Sequence, residues 1–174
     1  YDGLAAGKGV DICSSISQAE TSIKNLLKPG GKIILEEFLK GIELSSIYIC
    51  NPNASKKIIG LPWMKDYKSR DEYNSGPNTG GMGSVTHPYC LYKKNDIYSL
   101  NTEIEKIIIK TIVAINDKSS DSSQYNGFLY LGLMIPSTTK PYLLEYTCRM
   151  GDPETQSLMM YLSNNEVDFL DLIG

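Results

Sequence analysis

Residues 142–156, YLLEYTCRMGDPETQ, concentrate side chains that could bind a cation and an anion together. The apolar run Tyr142–Leu144 is too short for a helical pattern, so we interpret it as a buried strand that ends near Glu145. Gly151 and Pro153 then break the chain, which puts the polar residues at a strand end and in the loop beyond it. Carboxylates there can hold a divalent cation, and an arginine can bind a phosphate or a carboxylate. We interpret the stretch as a site rather than a salt-bridged surface loop, with the candidates Glu145, Thr147, Arg149, Asp152, Glu154 and Gln156.

Two glycine-rich segments earlier in the chain could bind an anion through their backbone. Residues 3–10, GLAAGKGV, surround Lys8, and residues 76–83, GPNTGGMG, include four glycines. Small residues let consecutive N–H groups approach a phosphate closely, and the lysine adds a positive charge. The first segment is not a P-loop, because its glycine spacing is too short and Gly9 replaces the Ser or Thr that binds magnesium. A flexible turn remains the alternative for the first segment, and a mobile surface loop for the second.

The elements that position these groups follow from hydrophobic periodicity and from breaker residues. Helices are predicted at Ser15–Lys28 with Ser15 as the N-cap, at Asp96–Ile115 and at Glu154–Leu162. Strands are predicted at Lys32–Phe38, Glu43–Cys50, Ile58–Pro62, Asn126–Ile135 and Tyr142–Thr147, and Trp63–Gly83 is predicted to be a loop. The last two strands are close enough in sequence to form an antiparallel hairpin. The third helix would direct its N-terminus, which carries partial positive charge, toward the loop after that hairpin.

Three glutamates lie around the turn between the first two predicted strands. Glu36 and Glu37 end one strand and Glu43 starts the next, so they could serve a ligand or line a solvated strand end. The only histidine, His87, directly precedes a proline. It has no Ser or Cys nucleophile context around it, so we do not assign a catalytic triad.

Composition argues against several classes of partner. The chain has 174 residues, enough for one domain with a hydrophobic core, and 41% of them are hydrophobic. Its net charge of -3 gives no electrostatic reason to bind nucleic acid or an anionic membrane. No apolar run reaches the length of a membrane span. The four cysteines are far apart in sequence, which predicts reduced thiols packed mostly in apolar surroundings of a cytoplasmic protein.

The motifs occur in the order and at about the spacing of the phosphoribosylamine–glycine ligase family, which belongs to the ATP-grasp superfamily. The matching segments are GLAAGKGV, ILEEFLKGIE, GPNTGGMG, GFLYLGLMI and EYTCRMGDPETQ. The chain from Tyr1 to about Leu162 resembles this family, and GPNTGGMG together with RMGDPETQ is specific to it. The resemblance implies an α+β fold of two ATP-grasp subdomains whose antiparallel sheets enclose a nucleotide cleft. It places a lid subdomain at residues 1–39 and a core subdomain at residues 40–174, with further domains expected beyond both ends.

The resemblance also implies an activity: ligation of glycine to 5-phosphoribosylamine through a glycyl phosphate, giving glycinamide ribonucleotide, ADP and phosphate in purine biosynthesis. ATP and Mg²⁺ (or Mn²⁺) would be the cofactors. The residues that it assigns to ATP are Gly7, Lys8, Gly9, Glu36, Phe38, Leu39 and Glu43. The residues that it assigns to the metal are Glu145 and Thr147. The substrate pocket would contain Asn78, Thr79, Arg149, Asp152 and Glu154, and the last three of these are the catalytic candidates.

Two departures from the family pattern bear on these roles. Thr147 stands where the family has asparagine, so the second metal ligand would have a shorter side chain. The ATP-contacting lysine expected just before the glycine loop lies outside this chain. Two alternatives therefore stay open: another ATP-grasp carboxylate–amine ligase, or a fragment that binds ATP without catalysis.

Overall fold

The computed structural model describes residues 10–27, 31–87, 92–119, 123–136 and 140–173. The helices within these ranges are α1 (Ile16–Leu26), α2 (Lys94–Asp117), α3 (Glu154–Asn164) and α4 (Phe169–Ile173). The strands are β1 (Ile42–Cys50), β2 (Ile58–Gly60), β3 (Met64–Asp66), β4 (Ser69–Asp71), β5 (Ser75–Asn78), β6 (Ser84–Thr86), β7 (Gly127–Ile135) and β8 (Tyr142–Thr147). A short 3-10 turn, Glu72–Asn74, connects β4 to β5. Among the helices of these ranges, none is both long enough and apolar enough to cross a membrane.

The chain divides into two compact units, one of Tyr1–Leu39 with Lys68–Met82 and one of Lys40–Tyr67 with Gly83–Gly174. The first unit contains α1 and the two-stranded sheet of β4 and β5. The second contains the six-stranded sheet with α2, α3 and α4. The lid and core subdomains expected at residues 1–39 and 40–174 stay a prediction, and the compact units add Lys68–Met82 to the first part.

In the first unit, α1 begins where the sequence predicts its cap. The Ser15 hydroxyl accepts a hydrogen bond from the Gln18 backbone N–H at 3.3 Å, which satisfies a donor of the first helical turn. Gly76 lies near the start of β5, directly after the turn of the β4–β5 hairpin, and its φ is +77°. A Cβ at Gly76 would lie 2.2 Å from Asp71 Oδ2, so both the backbone angle and the neighbouring side chain favour glycine there.

The sheet of the second unit has the strand order β6–β3–β1–β7–β8, with β2 also paired to β1, and each of these pairings is antiparallel. β1 and β7 form its centre and pair in register along their whole length. β7 then pairs with β8, with a bulge between Gly132 and Leu133. These pairings confirm the predicted strands at Glu43–Cys50 and Asn126–Ile135 and the hairpin that leads into β8.

Two hydrophobic clusters cover the two faces of this sheet. α2 covers one face with its buried residues Leu100, Ile104 and Ile108. α3 covers the other face with Leu158 and Leu162. Alternate residues of a strand point to opposite faces, so each central strand contributes to both clusters. The result is an α+β architecture, and the apolar stripe predicted for the longest helix is confirmed as core.

Two predicted elements are wrong. Residues 31–40 contain no regular secondary structure, so Lys32–Phe38 is not a strand. Ile34 and Leu35 are 67% and 78% exposed, and no described strand pairs with this segment. Residues with a high strand propensity form a strand only where a neighbouring strand pairs with them and other side chains cover them. The predicted loop at Trp63–Gly83 instead contains β3, β4 and β5. Strands of three or four residues are too short to show an alternating pattern in the sequence.

The burial predicted for Tyr142–Leu144 is also wrong, although the strand itself is present. Tyr142 is 38% exposed and Leu144 is 44% exposed. The reason is that β8 lies at the edge of the sheet, where within the described residues only β7 pairs with it. The cysteines show a similar difference: Cys13, Cys50 and Cys148 are free thiols, but only Cys50 among these three is buried.

Candidate functional site

Glu145 belongs to a row of register partners that crosses three strands of the sheet. Ser45 on β1 pairs with Gly132 on β7, and Gly132 pairs with Glu145 on β8. Ser45 lies two residues before Ile47, which packs in the cluster on the α3 side, so the whole row points to the α3 face. The sequence places these residues far apart, and the pairing of β1, β7 and β8 brings them together.

The neighbouring row adds the second predicted metal ligand. Thr147 pairs with Tyr130 on β7, and Tyr130 belongs to the cluster on the α3 side. Since Glu145 and Thr147 are two residues apart on one strand, both side chains point to this face. The structure therefore brings the two predicted metal-ligand residues onto one surface.

Gly132 provides the space that the Glu145 side chain occupies. An ideal Cβ on Gly132 would lie 2.9 Å from Glu145 Cγ and 3.6 Å from Tyr130 Cε1. Glycine inside a strand often marks such a close approach, and the register between β7 and β8 shifts next to this residue. Glu145 itself is exposed on the edge strand. Its carboxylate is thus placed by the sheet and remains accessible to a ligand.

A second carboxylate of this face, Glu154, is buried and held by two hydroxyl groups. Its side chain is 3% exposed. Glu154 Oε1 accepts hydrogen bonds from the Tyr130 hydroxyl at 2.8 Å and from Ser45 Oγ at 2.9 Å. Hydrogen bonds to a carboxylate offset the cost of removing it from water. Glu154 therefore fastens the first turn of α3 to β1 and β7.

The same phenol is influenced by both carboxylates. Burial raises the pKa of Tyr130, the hydrogen bond with Ser45 lowers it, and the negative charges of Glu154 and Glu145 raise it again. The net direction is upward, so the Tyr130 hydroxyl is protonated at neutral pH and donates its proton to Glu154. Tyr130 is thus a side chain whose pKa is raised by the charges of both Glu145 and Glu154.

The loop between β8 and α3 carries Arg149 and Asp152, and both are exposed. Arg149 donates to the backbone carbonyl of the next residue at 2.8 Å, and Gln156 Nε2 donates to Asp152 Oδ1 at 2.8 Å. A Cβ on Gly151 would lie 2.3 Å from Glu154 Oε2. Glycine is therefore needed where this loop passes the buried carboxylate.

A cluster of hydroxyl groups fixes the other side of the same loop. Ser84 Oγ on β6 lies 2.9 Å from the Pro153 carbonyl oxygen and 2.7 Å from Ser157 Oγ on α3. Thr86 Oγ1, also on β6, lies 2.9 Å from Ser157 Oγ. The start of α3 is thus held by β6 as well as by β1 and β7, which positions the loop that precedes it.

The donor groups suit a phosphate-bound Mg²⁺ better than a cation held by protein alone. Over the described ranges, no three His, Cys, Asp or Glu side chains come together in a metal-binding group. Mg²⁺ in phosphate sites typically keeps several waters and takes one or two carboxylates together with phosphate oxygens. The exposed Glu145 carboxylate meets that requirement. Thr147 Oγ1 donates to the Arg149 carbonyl oxygen at 3.1 Å, which leaves its lone pairs available to a cation.

The predicted residues of the first unit lie in two different settings. Glu36, Phe38 and Leu39 lie in the irregular segment of residues 31–40, where the first two are exposed and Leu39 is half-buried. Asn78 is exposed at the end of β5. The Thr79 backbone N–H and Oγ1 both donate to the Lys68 carbonyl oxygen, at 2.7 and 2.9 Å, so Thr79 builds the turn of the GPNTGGMG segment.

The remaining predicted ATP residues are Glu43 and the three residues of the early glycine loop. Glu43 is half-buried on β1, two residues before Ser45 and on the same face of the sheet. Gly7, Lys8 and Gly9 lie outside the described residues.

Sequence reasoning missed Ser45, Tyr130 and Ser157, gave no role to Gly132, and interpreted Gly151 only as a break after the strand. Ser45 and Tyr130 are polar groups inside apolar strands, a signal that a buried partner is needed. Gly132 interrupts the apolar run GFLYLGLMI, which is a signal of close approach. The identity of the partners could not be read, because it depends on strand register.

Comparison with known proteins gives consistent matches. The family described as phosphoribosylglycinamide synthetase, ATP-grasp (A) domain, matches residues 1–155. The phosphoribosylamine–glycine ligase of Clostridium acetobutylicum is 40% identical over 180 residues, which cover 99% of this chain and 40% of that protein. The phosphoribosylamine–glycine ligase of Ralstonia nicotianae is 36% identical and covers 98% of this chain and 39% of that protein. The crystal structure of phosphoribosylamine–glycine ligase from Thermotoga maritima covers 91% of this chain and 39% of that chain, with a TM-score of 0.69 and 38% identity.

The chain spans about two fifths of the length of these relatives. The family match runs through the row that carries Glu145 and into the first turn of α3. The likeness to the solved structure confirms the α+β ATP-grasp fold expected from the sequence motifs. The chain therefore belongs to the phosphoribosylglycinamide synthetase family, and residues 1–155 match the ATP-grasp (A) domain of that family.

Proposed function

We propose that the protein containing this chain is a ligase that uses ATP to join glycine to 5-phosphoribosylamine. The products would be glycinamide ribonucleotide, ADP and phosphate, a step of purine biosynthesis. The observation that carries this proposal is the position of Glu145: an accessible carboxylate beside the Arg149–Asp152 loop, in a chain of this family. The relatives are themselves phosphoribosylamine–glycine ligases.

The geometry of the second unit supports the roles that we propose for its residues. Glu145, assisted by Thr147, would hold Mg²⁺ with the phosphates of ATP, and the cation would neutralise charge on the phosphoryl group that is transferred. Arg149 and Asp152 are exposed and close in sequence to this pair, so they suit an anionic and a cationic group of the substrates. Glu43, on the same face of β1, would bind the ribose hydroxyls.

The roles of the first unit remain part of the proposal. Gly7, Lys8 and Gly9 would cover the phosphates, and Glu36, Phe38 and Leu39 would hold the adenine. Asn78 and Thr79 would contribute to the substrate pocket. In this arrangement residues 1–39 act as the lid of an ATP-grasp enzyme and residues 40–174 as its core.

The proposed chemistry needs charge neutralisation and exclusion of water more than a protein nucleophile. A carboxylate oxygen of glycine attacks the terminal phosphorus of ATP, and ADP leaves with the electrons of the broken P–O bond. The amine of phosphoribosylamine then attacks the acyl carbon, phosphate leaves, and the amine loses a proton. Arg149 would stabilise negative charge on the transferred group, and a closing lid would keep water from the acyl phosphate.

A coupled assay of ADP release by the complete protein tests the activity. We expect ADP to form only when both glycine and phosphoribosylamine are present. Glu145→Ala should reduce turnover by several orders of magnitude, whereas Glu105→Ala, which removes an exposed carboxylate on α2, should leave it near the wild-type value. Near-normal turnover of Glu145→Ala would overturn the assignment.

The same assay separates the proposal from its alternatives. Release of ADP with a different carboxylic acid would identify another ATP-grasp carboxylate–amine ligase. Binding of magnesium-ATP in a calorimetric titration, without turnover for any acid, would identify a non-catalytic nucleotide-binding protein.

We propose the cytoplasm as the place of action, because the described cysteines are free thiols and the proposed substrates are small metabolites.

A further inference from the structure

Glu154 is a candidate for catalysis by its sequence position, but its surroundings point to a different role. The side chain is 3% exposed, and Oε1 already accepts hydrogen bonds from Tyr130 and Ser45. A group that touches glycine or the sugar phosphate needs a free, accessible oxygen. The carboxylate also occupies the space beside Gly151, where an ideal Cβ would lie 2.3 Å from Oε2 and 3.0 Å from Oε1.

The buried carboxylate is joined to the accessible one through Tyr130. An ideal Cβ on Gly132 would have both Glu145 Oε1 and Tyr130 Cε1 at 3.6 Å, so these two side chains converge on the same point of β7. The Tyr130 hydroxyl then reaches Glu154 at 2.8 Å. Tyr130 and the candidate metal ligand Glu145 therefore both lie beside Gly132, and the Tyr130 hydroxyl anchors α3.

We propose that Tyr130 and Ser45 are positioning residues, which hold Glu154 and through it fix the loop at residues 149–153 beside Glu145. The inference rests on the proposed ligase function and changes the part that Glu154 plays in it. Glu154 becomes the link between the sheet and the loop, while Glu145, Arg149 and Asp152 remain the groups that meet magnesium-ATP and the substrates.

The geometry explains why hydroxyl groups are needed at these two positions. Ser45 lies in the row of Glu145, with Gly132 between them, and Tyr130 is the register partner of Thr147, so both hydroxyl groups lie on the face that carries the candidate metal ligands. A shift of Glu154 would move the start of α3 and the preceding loop together, because Gly151 leaves no room between them. Outer groups that orient a metal ligand typically change metal affinity or activity about 10–100-fold when removed.

The test uses the complete protein with Tyr130→Phe, Ser45→Ala and Glu154→Gln, with Tyr125→Phe as the matched control. The hydroxyl of Tyr125 also donates a partly buried hydrogen bond, to the Phe128 carbonyl oxygen at 2.6 Å. Tyr125, however, packs in the cluster on the α2 side. We expect Tyr130→Phe to lower kcat about 10–100-fold and to raise the magnesium concentration needed for half-maximal rate. Tyr125→Phe should leave both quantities near the wild-type values.

A double variant separates positioning from general stability. If Tyr130 acts through Glu154, the combined variant Tyr130→Phe with Glu154→Gln should lose little more than Glu154→Gln alone. If the fold-losses of the two single variants instead multiply in the double variant, Tyr130 does not act through Glu154. A kcat and magnesium dependence of Tyr130→Phe equal to those of Tyr125→Phe, with only a lower melting temperature, would reduce Tyr130 to a structural role and overturn the inference.

Failure of the proposed function would give a different result. If the wild-type protein makes no ADP with glycine and phosphoribosylamine, the ligase assignment fails, and calorimetric titration with magnesium-ATP becomes the readout. Positioning then still predicts weaker magnesium-ATP binding for Tyr130→Phe than for Tyr125→Phe. Equal binding by both variants, or no binding by the wild-type protein, would overturn the positioning role as well.

Discussion

Gly132 on β7 and Glu145 on β8 are register partners, and a Cβ on Gly132 would lie 2.9 Å from Glu145 Cγ. This distance is shorter than contacts that real Cβ atoms make, so any side chain at position 132 would displace Glu145. The orientation of the candidate metal ligand thus depends on the absence of a side chain at its register partner, Gly132. Glycine weakens a strand, but at position 132 it leaves the space that the Glu145 side chain needs.

Gly132→Ala should therefore impair the site more than the fold. The added methyl group pushes the exposed Glu145 side chain away from its place beside Tyr130, and we expect the magnesium concentration for half-maximal rate to rise. The measurement is ADP release by the complete protein at increasing magnesium concentration. In a Glu145→Ala background the same change should have little further effect, and an equal loss there would place the defect elsewhere.

Gly151→Ala should mainly destabilise the protein. The new Cβ would lie 2.3 Å from Glu154 Oε2, and the buried carboxylate cannot move without losing its hydrogen bonds to Tyr130 and Ser45. Overpacking of this kind typically costs about 1–3 kcal/mol of unfolding free energy, measured by chemical denaturation.

Gly80→Ala is the matched stability control for that experiment. A Cβ on Gly80 would have no heavy atom within 4 Å, so the unfolding free energy should change by no more than about 0.5 kcal/mol. If Gly151→Ala were as stable as Gly80→Ala, the loop would not pass as close to Glu154 as the structure indicates.

Local sequence signals predicted the elements whose stability is local or whose burial is periodic. The Ser15 cap, the stripe of α2 and the apolar strands β1 and β7 each follow from neighbouring residues. Lys32–Phe38 has the composition of a strand, but its apolar side chains find no covering layer among the described residues, so propensity alone misleads. Short strands such as β3 are fixed by their partners and give no pattern of their own.

The candidate site divides in the same way. Glu145, Thr147, Arg149 and Asp152 were predicted because they cluster within a few residues of one another and match a family motif. Glu154 was also predicted, as a catalytic candidate, but its partner Ser45 was not, because the two residues are 109 apart in sequence and meet only where α3 packs on the sheet. Long-range partners of this kind require the fold before they can be named.

The helix that carries Glu154 offers a direct test of the core on the α3 face. Leu158 is 0% exposed, whereas Met160 on the same helix is 66% exposed. Leu158→Ala should lower the unfolding free energy by about 2–5 kcal/mol, because it removes buried methyl groups and leaves a cavity. Met160→Ala should change it by less than about 0.5 kcal/mol. Equal losses in chemical denaturation would mean that α3 does not pack on the sheet through Leu158.

Cys50 and Cys148 should react very differently with alkylating reagents. Burial raises the pKa of the Cys50 thiol to about 11, and its side chain is 2% exposed. Thiolate is the reactive form, and a pKa of about 11 leaves only about a thousandth of the Cys50 thiol ionised at pH 8. Cys148 is exposed in the loop after β8. Iodoacetamide at pH 8 should therefore modify Cys148 in the folded protein and leave Cys50 intact, as read from peptide masses.

The pH dependence and the unfolded protein supply the controls for this difference. As pH rises toward 11, ionisation of Cys50 increases, but modification should remain slow while the protein stays folded because the thiol is covered by the cluster on the α2 side. In guanidinium both cysteines should react at similar rates, since unfolding exposes Cys50 and restores its ordinary pKa. Equal modification of the two residues in the folded protein at pH 8 would show that β1 is not the central, buried strand on which the row from Ser45 to Glu145 depends.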